Sequence, residues 1–174
     1  MSKKRTKRLV ITAMFIAITY IFTVFVNIRL PFGGNGGLIH LGNVPLFLAA
    51  ILYGKRVGAV AGGVGMALFD LLSGWTAWAP FTLVVVAAMG YCVGAVMEKK
   101  QQHFYLWYVC AVVLALFIKV VGYYLAELIL YGNSIVPLAS IPGNIIQVSA
   151  AALVVLAVVT PLQKALAHIN SRNA

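Results

Sequence analysis

Apolar residues run along this chain in long blocks, broken by short clusters of glycine, proline and basic residues, with little of the polar striping that marks a soluble helix. Several blocks hold about 20 residues, enough to cross a hydrocarbon core of about 30 Å as helix. Apolar length read against the breaks predicts helices near 9–28, 42–54, 57–74, 80–97, 104–131 and 139–162. The expected fold is an all-α membrane protein with six transmembrane helices. It forms one integral-membrane domain over 1–174: a basic N-terminus (1–8), a six-helix bundle (9–162) and a tail (163–174). The second helix is short, roughly 20 Å, with Pro45 in its first turn, so it is either tilted little or only partly spanning.

Charge orients the bundle. With the N-terminus in the cytoplasm, Lys3, Lys4, Arg5, Lys7, Arg8, Lys55, Arg56, Lys99, Lys100, Lys164 and Arg172 all lie inside, Arg29 lies outside and Lys119 falls within a span. The positive-inside rule therefore places both termini in the cytoplasm. The basic start followed by an apolar run is like a signal peptide, but the run continues to Ile28 without a small-x-small cleavage site, so it is expected to stay as the first span.

Composition narrows the function. Hydrophobic residues make up 63% of the chain and charged residues 9%, with a mean hydropathy of +1.00; a soluble domain carries about 25% charged residues. The net charge of +10 sits in clusters between apolar runs, where it reads as a topology signal and not as a nucleic-acid surface. With three acids in all, Asp70, Glu98 and Glu127, carboxylate-pair catalysis and carboxylate metal sites have almost nothing to be built from. Cys92 and Cys110 fall inside apolar spans and imply neither a disulfide framework nor a metal knuckle. No Gly-x-x-x-x-Gly-Lys-Ser/Thr loop is present to hold nucleotide phosphates, so the chain is not expected to hydrolyse ATP alone, and no cofactor is implied.

The outer connections differ in chemistry from the inner ones. Gly33-Gly34-Asn35-Gly36-Gly37, Gly74-Trp75-Thr76-Ala77-Trp78-Ala79 and Gly132-Asn133-Ser134 are glycine-rich, aromatic and uncharged, and suit a lid. Small residues repeat at helical spacing: Gly54, Gly58, Gly62 and Gly65, then Gly90 and Gly94, and Ala13 with Ala17 in the first helix. Such ladders let helix backbones approach closely in lipid. Combined with Gly62-Gly63-Val64-Gly65-Met66-Ala67-Leu68-Phe69-Asp70-Leu71-Leu72-Ser73-Gly74-Trp75, His40-Leu41-Gly42-Asn43-Val44-Pro45 and Trp78-Ala79-Pro80-Phe81-Thr82, the six-helix layout resembles the substrate-binding S component of an energy-coupling factor (ECF) vitamin transporter, nearest the pyridoxine and hydroxymethylpyrimidine type.

The resemblance implies a capture subunit in the plasma membrane of a bacterium. In that family the alanine stripe of the first helix docks on a transmembrane coupling subunit that joins two cytoplasmic ATPases, so Ala13 and Ala17 become partner-contact candidates; packing within the bundle is the alternative.

Polar groups inside a span are costly, about 2.5–3.5 kcal/mol for a charge on insertion scales, and mark a cavity or a paired site. Lys119, Tyr123 and Glu127 share a stripe of the fifth helix, Asp70 lies near the outer end of the third, and Asn144 and Gln147 lie near the outer end of the sixth. Lys119 and Glu127 are roughly 12 Å apart along the axis, so their partners must come from other helices. These residues, with Trp75, Trp78, His40 and Asn43, are the candidate substrate contacts. They suit a small aromatic ring held at its edge by polar groups and covered by aromatics. Several have a structural alternative: Asp70 as a cap of the outer loop, the tryptophans as interfacial belt residues, Lys119 as a partner of Asp70, His40 as a hydrogen-bonded loop residue. Two other functions compete, an independent secondary transporter or channel and an intramembrane enzyme. The first lacks an evident inverted repeat and an acid chain, the second a Gly-x-Ser-x-Gly elbow or a His-Glu-x-x-His helix.

Overall fold

A computed structural model describes residues 3–29, 38–98 and 103–172. The elements are α1 (Lys3–Phe25), β1 (Asn27–Arg29), β2 (Leu38–His40), α2 (Asn43–Tyr53), α3 (Lys55–Leu72), α4 (Ala79–Glu98), α5 (Phe104–Tyr131), a 3-10 turn (Val136–Ser140) and α6 (Ile141–Arg172). Six α-helices among the described residues fall close to the expected places, and the differences are local. The basic N-terminal segment is itself helical from Lys3. The last helix continues through Pro161 to Arg172, well past the expected end near 162. The glycine run 33–37 and the basic pair Lys99-Lys100 lie outside the described residues.

Four segments are long and apolar enough to cross a membrane: Lys3–Phe25, Ala79–Glu98, Phe104–Tyr131 and Val136–Ile169. The other two helices fall short for different reasons. The third has 18 residues, roughly 27 Å, but carries Lys55, Arg56 and Asp70. The second has 11 residues, roughly 16 Å, about half a hydrocarbon core.

That short helix is the centre of the bundle. Asn43, Val44, Pro45, Leu46, Phe47, Ala49 and Ala50 are all buried, as expected of a helix that is hydrophobic all round. A two-stranded antiparallel ribbon precedes it, with Asn27 opposite His40, Ile28 opposite Ile39 and Arg29 opposite Leu38. The ribbon was not expected, because three-residue strands give too short an alternation to read. It starts where Asn27 donates its side-chain amide to the Thr23 carbonyl at 3.1 Å, ending α1. Leu41 N–H closes its base on the Val26 carbonyl at 3.0 Å. A Cβ at Gly42 would collide with the Thr23 hydroxyl and press on the end of the Met66 side chain, so the start of α2 packs against α1 and the later part of α3.

The glycine ladders are packing surfaces. A Cβ on Gly58 would lie 2.5 Å from Ala50 Cβ of α2, one on Gly65 2.9 Å from the Ile16 carbonyl of α1, and one on Gly90 2.5 Å from the Gly58 carbonyl. The third helix thus meets α1, α2 and α4 backbone to backbone, the close approach that small residues permit in lipid. At the same end Glu98 accepts from Lys55 N–H at 2.9 Å and pairs with Lys55 Nζ at 2.9 Å, capping the start of α3. Around the bundle, Val84, Phe117, Ile129 and Leu153 are among many large apolar side chains left exposed, which suits an acyl-chain solvent.

Candidate functional site

At the opposite end from Lys55 and Glu98, a cavity opens between the ribbon and helices α3 to α6. Counted with its open mouth, the space between the lining side chains is about 540 Å³. Nine of the ten residues expected to contact substrate line it: His40, Asp70, Trp75, Trp78, Lys119, Tyr123, Glu127, Asn144 and Gln147. Asn43 does not. It is fully buried in the first turn of α2, with neither amide atom hydrogen-bonded.

Local structure explains how these side chains converge. Lys119, Tyr123 and Glu127 recur every four residues and so share one face of α5. The chain after α3 turns sharply at Gly74 (φ +85°), and Trp75 N–H donates to the Asp70 carbonyl at 2.8 Å. Trp78 N–H then donates to the Trp75 carbonyl at 2.9 Å, and Thr82 N–H to the Trp78 carbonyl at 2.8 Å. The two indoles meet edge to face at 5.3 Å, and Trp78 meets Tyr131 at 6.0 Å. The aromatic roof is therefore built by one tight turn, braced on the end of α5.

The polar groups sort into committed and available ones. Lys119, 2% exposed, donates to Gln147 Oε1, and its Nζ sits 5.6 Å from the Tyr123 ring centroid. Gln147 Nε2 reaches the Leu38 carbonyl at 3.4 Å, tying α6 to the ribbon. Glu127 takes the Ser140 hydroxyl at 2.9 and 2.8 Å on its two oxygens, and Thr82 and Tyr123 share a hydrogen bond at 3.0 Å. Lys119 thus hydrogen-bonds Gln147, while Asp70, the structural partner considered from sequence, is near enough to feel its charge but not within ion-pair distance. Gly42 N–H donates to His40 Nδ1 at 3.2 Å, which requires that nitrogen to be unprotonated. By contrast, Asp70 Oδ2 has no hydrogen-bond partner. The Asn144 amide makes none among the described residues either.

Leu38, Phe69, Thr82 and Ser140 also line the cavity and were not expected from sequence. Thr82 carried a usable signal, standing four residues after Trp78 on the same helical face. Ser140 and Leu38 carried none, because both are placed by the fold of a connection.

Residues 3–167 match the family described as ECF-type riboflavin transporter, S component. The chain belongs to this family. It is thus a multi-pass membrane protein of a transport system, and membership implies association with an ECF module. Among curated relatives, the thiamine precursor transporter HmpT of Lactococcus lactis subsp. cremoris is 28% identical over 148 residues, covering 85% of this chain and 82% of the relative. An uncharacterized protein of Pyrococcus woesei is 36% identical over 105 residues, covering 60% of this chain and 69% of that protein. A solved S component of a bacterial ECF transporter superposes with a TM-score of 0.74 at 21% identity, over 93% of this S component and 98% of the other, and supports the fold.

Proposed function

We propose that this S component captures a small aromatic vitamin or precursor, hydroxymethylpyrimidine or pyridoxine-like, from outside and releases it only when coupled to ATP-hydrolysing partners. The carrying observation is the cavity's combination of an aromatic roof, Trp75 and Trp78, with an unpaired Asp70 oxygen and the Asn144 amide on its lining. Aromatic rings bind faces, whereas an unpaired buried acceptor and a free amide select an edge bearing donors and acceptors. The Lactococcus relative, a thiamine precursor transporter, supports the smaller ligand, whereas the family description names riboflavin.

The partners follow from membership and from α1. Ala13 and Ala17 are both exposed, on the side of the helix turned away from the Thr19 contact with Gly65. That leaves a flat strip for the coupling subunit, which would connect to two cytoplasmic ATPases, and the chain itself would hydrolyse nothing. Both termini lie in the cytoplasm and all six helices cross or enter the bilayer, α2 doing so together with the ribbon.

Mass spectrometry of the ligand that co-purifies, followed by calorimetric titration with hydroxymethylpyrimidine, pyridoxine and riboflavin, tests the reading. Binding of one single-ring compound with exclusion of riboflavin is the expected result. Preferential binding of riboflavin overturns the ligand assignment, and binding of none overturns the capture role.

A further inference from the structure

At the end of the bundle opposite the vitamin site, Lys4, Lys7, Arg8 and Ile11 of α1 face Tyr53 and Val57 across a pocket of about 610 Å³ including its mouth. Positions 4, 7, 8 and 11 recur at helical spacing, so three cations and an apolar residue share one face. No acid lines this pocket. Nor is one free nearby: both Glu98 oxygens are taken by Lys55, while Asp70 and Glu127 line the distant cavity. Glu98 is near enough to Arg8 to feel its charge but is already paired with Lys55, so the three cations outnumber the acids around them.

The floor and surroundings narrow the ligand. Ile11 and Val57 supply apolar surface beneath the charges, and the Tyr53 ring rests on Phe15 at 5.5 Å. Beside the pocket, Val10 and Met14 follow Lys7 at helical spacing and are more than half exposed, an apolar strip leading toward mid-bilayer. A free anion would use the cations and leave that strip empty. A ligand with a phosphate and acyl chains uses both.

We propose that this pocket binds the headgroup phosphate of an anionic diacyl phospholipid, its chains lying along α1. Basic pockets between transmembrane helices hold such headgroups through the summed attraction of their cations. The site is independent of the vitamin cavity.

Native mass spectrometry of the purified full chain, titrated in detergent with phosphatidylglycerol or phosphatidylcholine, tests the proposal. Phosphatidylglycerol should be retained in preference, and Lys7→Gln and Arg8→Gln should each lower its retention about fivefold, equivalent to about 1 kcal/mol per cation. Ile11→Trp, which fills the floor without changing charge, should also release the lipid, whereas Lys164→Gln and Arg172→Gln should leave retention unchanged. Equal retention of phosphatidylcholine overturns the proposal, as does displacement by equimolar inorganic phosphate, which would make the site one for a free anion. Unaltered retention in Ile11→Trp, or the same loss in Lys164→Gln, would mean a general surface potential and also overturn it.

Discussion

Replacing Gln147 by Leu probes the contact on which the cavity floor depends. The substitution removes the acceptor of Lys119, 2% exposed, and the donor that reaches the Leu38 carbonyl at 3.4 Å. The second bond is long and contributes little. For the first, interhelical hydrogen bonds in membranes average about 0.6 kcal/mol and reach about 1.7, because the unfolded chain in lipid also finds partners. A charged donor with almost no solvent access belongs at the upper end, about 1.5–2 kcal/mol. With roughly 2–4 °C per kcal/mol for a chain of this size, Gln147→Leu should unfold about 3–8 °C earlier in detergent. Lys119→Met should also destabilise, since it leaves the Gln147 carbonyl buried and unpaired. The double substitution should recover most of the loss, because no buried group is then orphaned. The assay is thermal unfolding of all four proteins without ligand, read as a double-mutant cycle. Additive losses in the double variant, or an unchanged midpoint in Gln147→Leu, would refute the account of this bond.

Asn144→Leu should behave differently, since its amide is uncommitted: folding should be unaffected while ligand affinity falls about five- to 150-fold, the cost of one unpaired polar group of about 1–3 kcal/mol, as measured by calorimetry with the co-purified vitamin. Wild-type affinity in that variant would remove Asn144 from the ligand site. Changing Ala13 and Ala17 together to Trp should preserve ligand binding by the isolated chain and abolish ATP-driven uptake in vesicles containing the partner subunits; intact uptake would place the docking surface elsewhere. Gly90→Val should sharply reduce the yield of folded protein on size-exclusion chromatography, because even the Cβ would stand 2.5 Å from the Gly58 carbonyl. A monodisperse, ligand-binding Gly90→Val protein would show that α3 and α4 can separate without loss of fold.

What the sequence determined by itself was the solvent and the helices. Lipid imposes apolar runs of a fixed length, and backbone groups there must be satisfied within the helix, so span positions are written directly into composition. The glycine ladders were legible for a related reason: a backbone contact needs small residues at four-residue spacing, and Gly58, Gly62 and Gly90 supply it. Intramembrane polar residues stood out because burying them is costly, which is why Lys119, Glu127, Asn144 and Gln147 could be gathered before any fold was known. Their pairing could not. Gln147 is bound to Lys119 and Asn144 is left available, although both are amides one turn apart, because partner choice depends on how α5 is placed against α6 and the ribbon. Asn43 was misplaced for the same reason: next to His40 in sequence, it is drawn into the core by the turn that starts α2, while His40 stays on the ribbon and lines the cavity. The ribbon itself, and its place ahead of an 11-residue helix buried in the bundle, follow from contacts between segments far apart in the chain. Local periodicity carries no record of such contacts, so only the tertiary structure decided them.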